Sequence, residues 1–333
     1  MNFLNSLMNF ETLSVVGLEK NTGKTETMNY IIEHLNNKIK LGITSIGVDG
    51  ETTDIVTKTK KPEITVYDGM FFATTEKHFK LKKINAELYY LSRRETPLGR
   101  ILIAKANEKG RILLSGPSTS VWLKDIIKGM KKIDKMKIIV DGAISRISTS
   151  SPSVTESVVL STGAALSLSA KSIIDRTVYK IQLMKLKTIK EELIKDLIDL
   201  EDGIYSLDKN IEKLPFKTLL SLKNFDLDKY GYNYYITGVL NNSFVKKILT
   251  KNHVDKYTII VKDYTKIFLD SATFNKFIKL GGKIKVLQRV DLKAVTYNPV
   301  SPEGFVIDSE PIMKSIKEKT GVTIIDVKKD LIL

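Results

Sequence analysis

The opening of the chain limits its fold more than any other feature. An apolar, β-branched run at 12–17 (TLSVVG) leads through a glycine-flanked turn into a stretch of helical periodicity. A short run of this kind bounded by glycine reads as a strand. Residues 24–38 follow, with Met28, Ile31, Ile32 and Leu35 at the i, i+3, i+4, i+7 positions of a helix that buries one face. The next apolar run, GITSIGVDG at 42–50, predicts a second strand. Strand, helix and strand in immediate succession form a crossover unit, so the fold is expected to rest on a parallel sheet of the α/β class.

Further along, ITVYDGMFFATT, AELYYLS, GRILIAKA and GRILLSG between 64 and 116 are strand-like runs with turn signals between them. They predict an antiparallel excursion at the edge of the sheet. The Asn107–Gly110 link is expected to be a hairpin with Gly110 at positive φ. A helix is expected over 118–132, with Val121, Trp122, Ile126, Ile127 and Met130 on one face, and then a strand KIIV ending at Asp141. The Ser/Thr-rich stretch 145–157 has no apolar period and reads as a loop, and another strand starts at Val158. Helical periodicity dominates 172–200. Beyond Pro215, strands are expected at 234–240, 257–263, 283–290, 293–299 and 322–327, with helices at 242–252, 265–280 and 309–320.

At 333 residues the chain has room for two cores. Its 42% hydrophobic and 27% charged residues suit a globular protein. No apolar run reaches the ~18–20 residues that cross a bilayer, and no basic region leads an apolar one at the start. A cytoplasmic location without membrane association is therefore expected. With no cysteine at all, disulfides, thiolate metal sites and cysteine nucleophiles are excluded. The three histidines have no ligand spacing. A net charge of +15 invites a nucleic-acid partner. Its lysines are spread evenly, however, and no aromatic-basic motif accompanies them, so no nucleic acid is expected.

The turn at 17–25 carries the chemistry. In VVGLEKNTGKT, Gly17 and Gly23 are separated by five residues, and Gly23-Lys24-Thr25 opens the helix. Successive backbone N–H groups feeding a helix N-terminus form a concave anion site. Lys24 then serves the β- and γ-phosphates of a nucleotide, and the Thr25 hydroxyl reaches Mg²⁺. Asn21, Thr22 and Glu26 complete the stretch expected to line it. The competing reading is a helix start capped by Thr22, with Lys24 in solvent. Asp141 in IIVDGA places a carboxylate at a strand end, suited to Mg²⁺ or to a turn. In GVDGETTD, Asp49 is expected as a second metal-linked or water-orienting carboxylate, with Glu51 and Asp54 as alternatives and an Asx-Gly turn as the plain reading. SGPSTS (115–120) either binds an anion through its backbone or uses Ser118 to cap the next helix. TGVLNNS (237–243) offers Asn241, Asn242 or Ser243 as a cap, with packing or a partner surface as its role. YNPVSPEGF (297–305) is a Pro-Gly loop without an assigned role.

The five-residue spacing resembles the loop of dethiobiotin synthetases, roughly G-T-D-T-x-x-G-K-T, and of the related amidoligases acting on cobyrinic acid. Leu18-Glu19-Lys20 stands where that family has Thr-Asp-Thr. IIVDGA is similar to the family's V-E-G-A segment, whose acid binds Mg²⁺. In the ParA/MinD-like relatives a second lysine occupies the position of Glu19. The resemblance implies a P-loop nucleotide-binding domain, expected over 1–171, and the helical periodicity after it predicts a connector over 172–230. A smaller Rossmann-like α/β domain over 231–333 completes the expected organisation.

The whole chain, with VVGLEKNTGKTET, VDGAISR and NPVSPEG, resembles the accessory B-type component of the lysine 5,6-aminomutase reactivase of lysine-fermenting anaerobes. That implies Mg-ATP, a partner ATPase subunit and the aminomutase as partners, and allows a homodimer. The alternatives are an ATP-dependent ligase or kinase of the dethiobiotin synthetase type, acting on a small carboxylate or amine, or a scaffold with a vestigial loop.

Overall fold

The computed structural model describes residues 7–47, 63–142, 151–152, 154–215 and 227–333. It is mixed α/β, and the chain divides into two compact units, Met1–Val178 with Asp291–Leu333, and Tyr179–Val290.

The first unit opens with β1 (Thr12–Gly17), α1 (Lys24–Leu35) and β2 (Leu41–Ser45). It continues through β3 (Ile64–Val66), β4 (Phe71–Thr75), α2 (Glu76–Lys80), β5 (Ala86–Thr96), β6 (Gly99–Ala106) and β7 (Gly110–Ile112). Next come α3 (Ser120–Ile133), β8 (Lys137–Asp141), β9 (Ser157–Gly163) and α4 (Ala170–Met184), which carries the chain into the second unit. There follow α5 (Glu191–Leu197), β10 (Ile204–Ser206), β11 (Glu212–Lys213), β12 (Asn233–Ile236), β13 (Leu240–Asn241) and α6 (Asn242–Ile248). The second unit ends with β14 (Thr258–Val261), β15 (Ile267–Phe268), α7 (Ser271–Lys279) and β16 (Lys283–Val286). The chain then returns to the first unit as β17 (Asp291–Asn298), α8 (Ser309–Thr320), β18 (Ile324–Asp326) and β19 (Leu331–Ile332).

The first unit is built on a ten-stranded sheet of order β19-β18-β17-β9-β1-β8-β2-β4-β6-β5. Every pairing from β18 across to β4 is parallel. Strands buried on both faces read as continuous apolar runs, which explains why TLSVV and KIIV lack alternation. In β8, Ile139 joins the core layer beneath α1, where Met28, Ile31, Ile32 and Leu35 are buried. Its neighbours Ile138 and Val140 join the opposite layer with Trp122, Leu123, Ile126 and Met130 of α3. Period-2 strand geometry sends these side chains to the two faces in turn.

An antiparallel excursion is present as β5 and β6, which extend the sheet beyond β4. Its tight turn differs from expectation. Gly99, at φ +87°, follows the turn that joins β5 to β6, and Gly110 has no positive φ. Strand β7 leaves β6 and pairs with β3 instead, so residues 107–110 do not close a hairpin. On α3, Val121 is 70% exposed, and Leu123 takes the expected place in the core. The buried face of α3 thus runs through Leu123, two positions beyond Val121.

The expected division at 172–230 and 231–333 requires correction. Strands β10 and β11 lie in the supposed connector, yet belong to a five-stranded sheet of order β11-β10-β12-β14-β16. The last 43 residues leave the second unit altogether, and β17 pairs with β9 from Asp291↔Ser157 to Asn298↔Gly163. Without that return β9 would present an unpaired edge. A pairing between segments so far apart in sequence leaves no mark on local periodicity.

Within the second unit, β12, β14 and β16 are parallel, with α6 between the first two and α7 before the third. Asp228 accepts hydrogen bonds from Lys251 Nζ at 2.7 Å and from the Tyr257 hydroxyl, and His253 Nε2 lies 3.2 Å from it. Burial alone raises this carboxyl, but these partners outweigh it and hold the group down at about 2. A carboxylate with a depressed folded pKa stabilises above its unfolded value and loses that contribution as pH falls through the folded one. Urea unfolding of the wild type is therefore expected to show stability falling between about pH 4 and about pH 2, near the unfolded and folded values, with Asp228→Asn less pH-dependent over that window. A second expectation concerns the first core: Ile31→Ala, which empties a fully buried site, should cost about 2–5 kcal/mol in the same assay.

Candidate functional site

The glycine-flanked turn lies at the carboxyl end of β1, a central strand of the ten-stranded sheet. Val15 stands beside Asp141 of β8, and Gly17 beside Ser161 of β9. Open parallel sheets bind ligands at this edge. The chain doubles back over Gly17: a Cβ there would fall 2.5 Å from Thr22 Oγ1 and 2.9 Å from the Glu19 carbonyl oxygen. Only glycine permits that approach. Asn21 at φ +61° and Gly23 at φ +88° turn the loop into the helix. The Leu18 N–H donates to Ser161 O at 2.9 Å, and the Ser161 hydroxyl donates to Thr22 O. Both bonds anchor the loop to β9.

Thr22 does not cap the helix. Its hydroxyl donates to Glu19 O at 2.9 Å, and the N-cap residue is Gly23, with no side-chain cap. The first helical bond runs from Thr27 N to Gly23 O, so the N–H groups of Lys24, Thr25 and Glu26 precede the ladder and have no partner within it. An uncapped first turn concentrates positive potential. Lys24 is not free in solvent either. Its Nζ donates to Gly142 O at 3.0 Å, one residue beyond Asp141. Gly142 N in turn donates to Val15 O at 3.0 Å. The cation therefore reaches the backbone just beyond the strand end that carries Asp141, with Lys24, Thr25 and Asp141 half-buried, and Asn21 and Glu26 exposed.

Asp49, Glu51 and Asp54 lie outside the described residues. Among the described residues no three His, Asp or Glu side chains are grouped as a metal site. Thr25, in the first turn of α1, and Asp141, at the end of β8, carry oxygen donors of the hard type that suits Mg²⁺. The SGP turn is explained by packing: Gly116 N donates to Gly47 O at 3.0 Å and Gly47 N to Pro117 O at 2.9 Å. A Cβ on Gly116 would lie 1.6 Å from Ser45 O. The cap of α3 is Thr119, whose Oγ1 accepts from Trp122 N at 3.3 Å, not Ser118. In TGVLNNS the cap is Asn241, accepting from Phe244 N at 3.2 Å.

No family model, curated protein or solved structure matches this chain.

Three residues that periodicity and spacing did not single out also border the turn. Ser161 anchors it from β9. Asn298, the last residue of β17, packs against Gly23, where an added Cβ would sit 2.8 Å from its own Cβ. Arg176 of α4 forms an ion pair with Glu19. Asn298 carried a faint signal in the Pro-Gly loop that follows it; Ser161 and Arg176 carried none. A cavity of about 460 Å³ lies elsewhere, in the second unit, lined by Leu193, Leu207, Ile260, Lys190 and Lys285 among others. It includes Asn233 and Thr258, the first residues of β12 and β14, and so sits at the amino ends of those strands.

Among described residues no helix is long and apolar enough to cross a membrane. Gly23→Ala combines a left-handed backbone with the Asn298 contact. It is expected to destabilise the protein by about 1–2 kcal/mol or more, read by urea unfolding.

Proposed function

We propose that the turn from Gly17 to Thr25 binds the phosphates of Mg-ATP and that the chain is a P-loop nucleotide-binding protein. The observation that carries this reading is Lys24, whose Nζ reaches Gly142 O, one residue beyond Asp141. The uncapped N–H groups of α1 and the close turn over Gly17 support it. Gly17, Asn21, Thr22 and Gly23 would shape the phosphate cradle, with Glu26 at its rim. Lys24 would offset charge at the β- and γ-phosphates, while Thr25 and Asp141 would hold Mg²⁺. The bound metal would supply neutralisation of phosphate charge. Asp49 would supply a second, metal-linked or water-orienting carboxylate.

We assign the nucleotide to conformational work, not to a metabolite. The resemblance to the lysine 5,6-aminomutase reactivase supports a role as an accessory, reactivating factor for a cobalamin-dependent amino-acid mutase, acting with a partner ATPase subunit. In this reading the second unit is a small Rossmann-like domain, and the protein works in the cytoplasm.

Fluorescence titration with Mg-ATP tests the nucleotide reading. Wild type should bind, and Lys24→Ala should lose about tenfold or more, the scale of one charged hydrogen bond. Negligible binding by both would remove the reading. ATP turnover should then rise with inactivated mutase present. A rise with a small carboxylate or amine, and none with the mutase, would establish the ligase or kinase alternative instead.

A further inference from the structure

Glu19 is an odd residue to find in a phosphate-binding turn. A carboxylate there repels the anion that the uncapped helix and Lys24 attract. The structure shows how that charge is offset. Glu19 Oε1 is paired with the Arg176 guanidinium, whose other terminal nitrogen donates to Leu166 O at 3.0 Å. Arg176 belongs to α4, and Leu166 lies just beyond β9, the strand that anchors the loop through Ser161. Both partners are more than two-fifths exposed. An exposed pair of this kind contributes little to folding, because solvent screens it and ordering two long side chains opposes it. The cation is therefore held at the loop by a bond that is cheap to break.

We propose that Arg176 is a nucleotide-binding residue kept in waiting by Glu19: an arriving phosphate displaces the carboxylate and takes the guanidinium. This rests on the Mg-ATP reading above. A phosphate oxygen pair accepts the same planar fork as a carboxylate and carries more negative charge, so the exchange favours the nucleotide. Glu19 competes with the phosphate for Arg176, and its charge opposes binding. ATP carries one more phosphate group and one more negative charge than ADP to draw the guanidinium over, so the effect is larger for ATP than for ADP.

The two halves of the pair consequently have opposite effects, which a purely structural ion pair would not. Mg-ATP and Mg-ADP are titrated against the full chain as wild type, Arg176→Ala, Arg176→Lys, Glu19→Gln and Lys24→Ala, with thermal melts of each. Arg176→Ala should weaken Mg-ATP by about tenfold or more and Mg-ADP by less, with Arg176→Lys in between. Glu19→Gln should tighten Mg-ATP by several-fold. Unchanged affinity in Arg176→Ala, or equal weakening in Arg176→Ala and Glu19→Gln, overturns the proposal. If Arg176→Ala does not fold, the Lys and Gln variants decide it by the same opposition. Loss of binding in Lys24→Ala, with Arg176→Ala like wild type, sinks the arginine role alone. No binding by wild type sinks the nucleotide reading with it.

Discussion

The lateral pairing of β1 between β8 and β9 is the constraint on which the rest depends. Parallel register places Val15 beside Asp141 and Gly17 beside Ser161. From that single alignment the loop receives its anchor from one neighbour, and Lys24 its carbonyl partner at the end of the other. Burial on both faces fixes the alignment, since a one-residue slip would exchange the layers under α1 and α3. Residues that are 118 apart in sequence, Lys24 and Gly142, thus come within 3.0 Å.

The same logic runs outward. Strand β9 needs a partner on its far side, and the chain supplies it only after completing a second unit and returning as β17. The return also carries Thr296 to the Thr27 hydroxyl, at 2.7 Å, and Asn298 to Gly23. The C-terminal segment therefore braces the first turns of α1. The proposed phosphate site would need its N–H groups held in place before an anion arrives. Here the bracing comes from β9 and β17 on one side and from the strand end of β8 on the other.

Much of this was legible in the sequence, for reasons that particular residues make plain. Met28, Ile31, Ile32 and Leu35 repeat at the helical period, and α1 buries all four. TLSVVG and KIIV are too short and too apolar for anything but interior strands. The turn between Gly17 and Thr25 was recognisable because glycine spacing and the lysine that follows are local. What failed was also physical. The positive φ lies at Gly99 and not at Gly110, because turn composition does not reveal which strand the next run pairs with. Local pattern does not tell that 291–333 belongs to the first unit, because its strands look the same whichever sheet they join.

The sequence by itself determined the α/β class, the two faces of the loop helix and the residue types at its turn, since each depends on neighbours within a few positions. Only the tertiary structure decided that Thr22 folds onto Glu19 and leaves α1 uncapped, or that Lys24 meets the end of β8. The same holds for the placing of Ser161, Asn298 and Arg176 around the turn. These contacts join segments separated by 118 to 275 residues (24 to 142, 23 to 298), or depend on a backbone turn that no residue type dictates. Sheet order sets them, and sheet order is chosen by burial over the whole unit.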